Sequence, residues 1–216
     1  QHGLFYEAGY DGSYAEVSGQ NMPFGTFTYA LGETEIGLAF PLLPSDEPQP
    51  FALRTSILGM SVGDDIWNLF DAAGQLPRDP LNFVIDLEGK TRVTEDFLKP
   101  DALEGMDQSF FADTTLKLNQ LRFSAAGADL TGDGNVTDTT ENGVPSAIGQ
   151  LNMMLTGGNS LLDTLIAMGL VPEDQAMGAR MMLGLVARPG EGDDTLVSTI
   201  EVNEDGEIFA NGQRIK

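Results

Sequence analysis

The sequence predicts an α+β fold, in which a curved, mostly antiparallel β-sheet carries a helical hairpin packed on one face. Most segments of the 216-residue chain alternate apolar and polar side chains, which is the period of a half-buried strand. A sustained helical period appears in residues 159–189, and strands and helices do not alternate regularly. Runs of strands with helices inserted in pairs are typical of an antiparallel sheet covered by helices on one side.

The first clear strands are predicted at residues 25–31 and 35–40, where every second side chain is apolar. The intervening residues 32–34 contain a glycine and suit a tight turn, so the two strands are expected to form a hairpin. Four prolines within residues 41–50 forbid helix and interior strand there, and this segment is predicted to be an extended connector.

The middle of the chain continues the strand pattern. A short helix is expected to begin at Asp64 and Asp65, because carboxylates favour the positive end of the helix dipole. The apolar alternation changes phase between Leu118 and Leu121, which indicates a β-bulge. Further strands are predicted at 51–58, 81–87, 114–123, 148–155 and 196–202, and Asn211-Gly212 favours a terminal hairpin.

The helical hairpin is predicted from its capping residues. Asn159 is the expected N-cap of the first helix and Gly169 its stop, while Pro172 opens the second helix and Pro189 ends it. Methionines cluster in the last third of the chain. Their spacing favours core filling beneath the hairpin, with an adaptable apolar surface as the alternative; they are Met153, Met154, Met168, Met177, Met181 and Met182.

Composition narrows the classes of function. The net charge of −22 opposes binding to nucleic acid and to anionic membrane surfaces, and leaves open a basic partner or divalent cations. There is no cysteine, and the one histidine is His2, so Cys-ligated metal sites and a Ser-His-Asp triad are excluded. No apolar run is long enough to be a transmembrane segment. Because the chain does not begin with Met, it is expected to be a processed or trimmed piece.

No motif marks a catalytic site, and no catalytic or cofactor-binding residue is predicted. Adjacent carboxylates such as Asp64-Asp65 and Asp193-Asp194 are expected by chance among 33 acidic residues. A carboxylate-based hydrolase needs two acids facing each other across a cleft, and the sequence does not indicate which pair would do so. That enzyme class therefore stays open but has no specific support.

One segment has the start of a calcium-binding loop. Asp129, Thr131, Asp133 and Asn135 place oxygen ligands at alternate positions, with Gly134 at the sixth. The closing acid is misplaced, because the twelfth position is Thr140. The alternative interpretation is a glycine-containing turn between strands, and these four residues form only a weak Ca2+ candidate.

Long motifs are spread over nearly the whole chain. In the middle they read WNLFD at 67–71, LPRDP at 76–80 and IDLEG at 85–89; later they read AGADLTGDG at 126–134, LTGGN at 155–159, MGLVP at 168–172, ARMMLG at 179–184 and ANGQRI at 210–215. Together these motifs resemble an uncharacterised bacterial family, number 2125 among the domains of unknown function.

The resemblance implies an exported or membrane-tethered protein of the cell envelope, about twice this length, of which the chain would be the later part. It implies no established activity and no catalytic residues. It also implies a strand and turn at residues 129–134, which argues further against calcium. The strand-and-turn pattern is similar to that of AsmA-like envelope proteins, whose long curved sheets form an apolar trough for lipid.

The sequence is therefore expected to encode one domain over residues 1–216, located in the periplasm or cell envelope and without enzymatic activity. Its expected partner is a lipid or another apolar ligand in a sheet groove, or another envelope protein. A structural or protein-interaction module of the envelope and a Ca2+-dependent module are the alternatives.

Overall fold

A computed structural model describes residues 5–12, 15–22, 25–99, 110–138 and 147–216. Thirteen strands in this described part form one open, curled sheet, accompanied by short helices. The elements are β1 Phe5–Gly12, β2 Ala15–Met22, β3 Gly25–Leu31, β4 Thr34–Pro41, β5 Gln49–Val62, α1 Asp64–Trp67, β6 Leu81–Val93, β7 Phe111–Ala125, β8 Ala128–Asp138, β9 Ala147–Thr156, α2 Gly158–Ala167, α3 Glu173–Val186, β10 Arg188–Pro189, β11 Thr195–Val202, β12 Ile208–Ala210 and β13 Gln213–Arg214.

The sheet is a meander in which each strand pairs antiparallel with its neighbours. Its order is β1-β4-β5-β6-β7-β8-β9-β11-β12-β13, with β2 and β3 joined to the end of β5 and β10 joined to β11. The two longer helices lie between β9 and β11, which are themselves paired. The predicted antiparallel sheet is therefore confirmed.

The hairpin expected between residues 25–31 and 35–40 is wrong, although both strands exist. β3 and β4 each pair with β5, one after the other, through Tyr29 with Val62 and Thr34 with Ile57. Gly32 lies between them because a Cβ there would come 2.3 Å from the Leu58 carbonyl oxygen. The glycine permits a close approach to β5 and does not reverse the chain.

Two other predictions concern local irregularities. The bulge between Leu118 and Leu121 is confirmed, because the register of β7 with β8 shifts there. The proline connector is shorter than the predicted 41–50, since Pro41 is the last residue of β4 and Pro50 pairs with Lys90 within β5. Both prolines lie near strand ends, where a missing N–H is tolerated best.

The helices occur where they were predicted, but the expected methionine core is wrong for α3. Met177, Met181, Met182 and Leu185 are 64–70% exposed, and Ala176 is the buried residue of this helix. The Val186 carbonyl at the end of α3 accepts hydrogen bonds from the side chains of Ser198 and Asn211, at 2.6 and 2.9 Å. These bonds fix the end of α3 beside the sheet, while its apolar stripe faces water.

A distant carboxylate caps α2, where Asn159 was expected to do so. The N-cap position is Gly157 at φ +75°, and the Asp194 carboxylate accepts hydrogen bonds from the Asn159 and Ser160 N–H groups at 3.2 and 2.8 Å. Burial raises the pKa of Asp194, but these hydrogen bonds outweigh it and hold the pKa below its ordinary value. Asn159 contributes its side-chain amide to the same carboxylate at 2.9 Å.

Candidate functional site

One face of the sheet is apolar across most of its strands. Cross-strand partners share a face, so the register follows a row of side chains from strand to strand. Leu38 pairs with Leu53, Leu53 with Leu87, and Leu87 with Leu118. The apolar face defined in this way comprises Ile36, Leu38, Phe40, Leu53, Ile57, Phe83, Ile85, Leu87, Leu116, Leu118, Leu121, Phe123, Leu130, Val136, Leu151, Met153, Leu155, Leu196 and Ile200.

The opposite, polar face is held by charged and amide side chains between neighbouring strands. Lys117 of β7 lies 3.3 Å from Glu88 of β6, and Arg122 of β7 lies 2.7 Å from Asp129 of β8. The hydrogen bond from Lys117 holds the pKa of Glu88 below its ordinary value. These pairs are partly exposed, so each one adds little stability by itself.

Part of the apolar face is open to solvent. Ile36, Leu38, Phe123 and Val136 are 39–45% exposed, although they lie on interior strands of the sheet. A contiguous apolar surface of this kind marks an interaction site in soluble proteins. The helices of the described part are too short and too polar to cross a membrane.

Aromatic side chains close one end of the apolar face. Phe40 lies 5.7 Å from Phe97 and 5.7 Å from Phe111 between ring centroids, in edge-on contacts. Val93, at the end of β6, is fully buried beside them. From Leu81 to this cluster, the 13 residues of β6 correspond to about 40 Å of strand.

The other end of the apolar face deepens into a pocket of about 440 Å³, here called the end pocket. Met60, Leu81 and Ala125 of β5, β6 and β7 form its wall on the sheet side. Trp67 and Phe70 cover it from the segment that follows β5. Its full lining is Met60, Ser61, Val62, Trp67, Phe70, Leu76, Arg78, Asp79, Leu81, Ala125 and Ala126.

A buried carboxylate holds the segment that covers the end pocket. Asp71, 2% exposed, accepts hydrogen bonds from Trp67 Nε1 at 3.1 Å, from the Gln75 N–H at 2.8 Å and from the Leu76 N–H at 2.9 Å. Burial raises the pKa of Asp71, but these hydrogen bonds outweigh it and hold the pKa below its ordinary value. The WNLFD motif therefore encodes a loop fixed by its own aspartate.

Arg78 stands at the mouth of the end pocket between an aromatic ring and a carboxylate. Its guanidinium carbon lies 5.2 Å from the centre of the Trp67 ring, within the range of a cation–π contact. Its Nη1 lies 2.5 Å from Asp64 Oδ1. Asp79 lines the same pocket. The mouth thus combines one fixed cation with two carboxylates.

The weak calcium candidates lie on one strand and do not converge. Asp129, Thr131, Asp133 and Asn135 are alternate residues of β8, so they share the polar face at intervals of about 7 Å. Asp129 binds Arg122, and Asp133 accepts a hydrogen bond from Asn152 at 3.3 Å. No group of three or more metal-ligating side chains was found in the parts of the chain that the structure describes. Thr140 lies outside the described residues.

The adjacent carboxylates have separate structural roles. Asp64 pairs with Arg78 at the end pocket, and Asp194 caps α2. Thr195 Oγ1 donates a hydrogen bond to the carbonyl oxygen of Asp193 at 3.2 Å. Asp64 and Asp194 thus belong to different local contacts, one at the end pocket and one at the start of α2.

Sequence reasoning missed the end pocket and the roles of Asp71 and Arg78. Both residues belong to the motifs at 67–71 and 76–80, which were noticed as a resemblance and not as a site. A tryptophan followed four residues later by an aspartate was the available signal. Its meaning depends on contacts with β5 and β7 that no local pattern contains.

Comparison with known proteins identifies a family and no individual relative. The family model described as an uncharacterised protein conserved in bacteria, DUF2125, matches residues 47–212. This range includes the end pocket and most of the apolar face. No curated protein and no solved structure matches the chain.

Proposed function

We propose that this chain, which belongs to the bacterial DUF2125 family, is a non-enzymatic binding domain of the cell envelope that holds an apolar ligand, such as the acyl chain of a lipid, on the apolar face of its sheet. The observation that carries the proposal is the open part of that face, where interior-strand residues such as Leu38 and Phe123 are 40 and 45% exposed.

The energetics favour an acyl chain as the ligand. Apolar surface removed from water contributes about 25 cal/mol per Å², so a chain lying along this face gains free energy from every side chain that it covers. The face offers about 40 Å of strand between the end pocket and the phenylalanine cluster. The hydrocarbon of one membrane leaflet is about 15 Å thick, half of the bilayer's roughly 30 Å, so a single lipid chain fits within that length.

The envelope location is supported by the family resemblance and by the likeness of the strand-and-turn pattern to AsmA-like proteins. The same likeness supports a binding role, because those proteins carry lipid in an apolar trough.

Lipid extraction and native mass spectrometry of the purified chain test the proposal directly. We expect co-purifying lipid, or, after its removal, saturable binding of an uncharged fluorescent apolar probe such as N-phenyl-1-naphthylamine. A stable dimer that buries the apolar face and binds neither lipid nor probe would contradict it.

A second candidate function is a protein-interaction module, and α3 favours it. Its exposed Met177 and Met181 border a groove with Ile166 of α2, edged by Glu173 and by the ion pair of Asp163 with Arg180. Met-rich grooves adapt to apolar segments, and Glu173 together with the net charge of −22 suits a basic partner. Salt-sensitive capture of a basic envelope protein, lost in Met181→Glu and kept in Ala179→Glu, would support this function. Equal capture by both variants would contradict it.

A further inference from the structure

The charges at the mouth of the end pocket are arranged for one class of ligand end group. This inference rests on the proposed function, because it concerns the polar end of the apolar ligand. The pocket is continuous with the apolar face through Leu81 of β6 and Ala125 of β7. A chain lying on that face therefore places one of its ends at Arg78, Asp64 and Asp79.

Arg78 is held in position before any ligand arrives. The Trp67 ring lies on one side of the guanidinium at 5.2 Å, and Asp64 binds a single nitrogen, Nη1. Arginine has five N–H donors in a planar fork. Among the residues that the structure describes, no acceptor binds the remaining N–H groups of Arg78, and the Arg78 side chain is 49% exposed. These N–H groups are therefore free to bind a phosphate or carboxylate.

The surrounding carboxylates oppose an end group that is only anionic. Asp79 lines the pocket, and Asp64 is 76% exposed beside Arg78. Together with the net charge of −22, they repel a free fatty acid or a phosphate monoester. A cationic group placed outward from the anion would instead be attracted by both carboxylates.

We infer that the end pocket binds zwitterionic amphiphiles, with the anionic group of the ligand on Arg78, its cationic group near Asp64 and Asp79, and its chain on the apolar face. The anionic group of the ligand then pairs with Arg78 and its cationic group with the two carboxylates, and Trp67 lies against the first carbons of the chain.

Equilibrium binding to the full chain tests this inference with three probes that share a twelve-carbon chain. They are dodecylphosphocholine, which is zwitterionic, dodecyl phosphate, which is anionic, and dodecanol, which is neutral. We expect dodecylphosphocholine to bind most tightly. Arg78→Gln should weaken its binding about tenfold and leave dodecanol unchanged, because a charge-assisted hydrogen bond is lost. Unchanged dodecanol binding also shows that the variant is folded.

Arg180→Gln is the matched control, because Arg180 forms a similar ion pair with Asp163 on the helices, at 2.5 Å. It should leave all three affinities unchanged. Asp79→Asn should weaken dodecylphosphocholine and strengthen dodecyl phosphate, which a merely structural role for Asp79 does not predict.

The single tryptophan of the chain locates the ligand. A bromine atom beside the polar end of the probe should quench Trp67 emission more than a bromine at the far end of the chain. Equal affinity of the wild-type chain for dodecanol and dodecylphosphocholine, or equal quenching by both bromine positions, would overturn the inference. Absence of binding by all three probes would overturn the proposed function as well.

Discussion

The two faces of this sheet are built from the same strands and meet solvent in different ways. On the polar face, neighbouring strands are joined by pairs such as Lys117 with Glu88 and Arg122 with Asp129. On the apolar face, Leu118 and Leu121 of β7 pair with Leu87 and Ile85 of β6 and with Gly134 and Gly132 of β8. The polar face is satisfied by its own contacts and by water, whereas the apolar face still exposes surface that a ligand can cover.

The largest expected effect is on ligand binding, and it separates the two faces directly. Leu38→Glu puts a carboxylate on the exposed part of the apolar face and should weaken the binding of N-phenyl-1-naphthylamine about a hundredfold, because the charge must lose water beside the bound probe. Titration by fluorescence measures the affinity.

Met154→Glu is the matched control for that change. Met154 is 44% exposed, like Leu38 at 40%, but its register with Thr131 places it on the polar face. It should change the affinity less than about twofold, since the added charge stays in water. Equal losses in both variants would show that ligand does not distinguish the faces.

The next effect is on stability and compares two consecutive residues of β7. Leu118→Ala should lower the free energy of unfolding by about 2 kcal/mol, because a half-buried side chain on the apolar face is lost. Lys117→Met should change it by less than about 0.5 kcal/mol. Urea denaturation followed by Trp67 emission gives both values. A larger loss of stability in Lys117→Met than in Leu118→Ala would contradict the assignment of these residues to the polar and the apolar face.

A smaller effect is the pH dependence of the polar face. The pKa of Glu88 is lowered by Lys117, so its contribution to stability is present above the unfolded pKa and is lost as the pH falls through the folded pKa. The melting-temperature difference between wild type and Glu88→Gln should therefore be present at neutral pH and vanish in acid. For Leu118→Ala the difference should persist in acid as long as the chain is folded. If Glu88→Gln kept its difference in acid, the ion pair would not be its cause.

The smallest expected effect concerns calcium on the polar face. Asp129, Thr131, Asp133 and Asn135 lie along a strand, and Asp129 already binds Arg122. The melting temperature should be the same in calcium and in chelator, because a cation that does not bind the native state cannot stabilise it. A melting temperature that is higher in calcium than in chelator would show that the polar face binds a cation.

Most strand positions and the apolar face followed from alternation, but β8 did not, because residues 129–135 were interpreted as a calcium loop or a glycine-containing turn and lie within one strand, Ala128–Asp138. Residues 81–87 were predicted as a strand with Leu81, Phe83, Ile85 and Leu87 on one side, and β6 contains them in that arrangement. The bulge beside Leu118 was predicted in the same way. Each of these features depends on side chains two residues apart in the chain.

Features that depend on distant contacts were predicted wrongly or missed. Gly32 suggested a turn, but it is there because the Leu58 carbonyl lies against it. Asn159 suggested a helix cap, but Asp194 supplies the carboxylate from the other side of the helical pair. Asp71 and Arg78 were not recognised as parts of a site, because the end pocket forms only where Trp67 and Phe70 meet residues of β5, β6 and β7.

The sequence by itself determined most of the strands and which of their residues share the apolar face, because alternation has a period of two and is written in the order of the residues. Only the tertiary structure decided how far that face stays open, what closes its two ends and which charges stand at the end pocket. Those properties depend on contacts of Trp67 and Arg78 with residues from other parts of the chain. Such contacts form only when the whole sheet has curled.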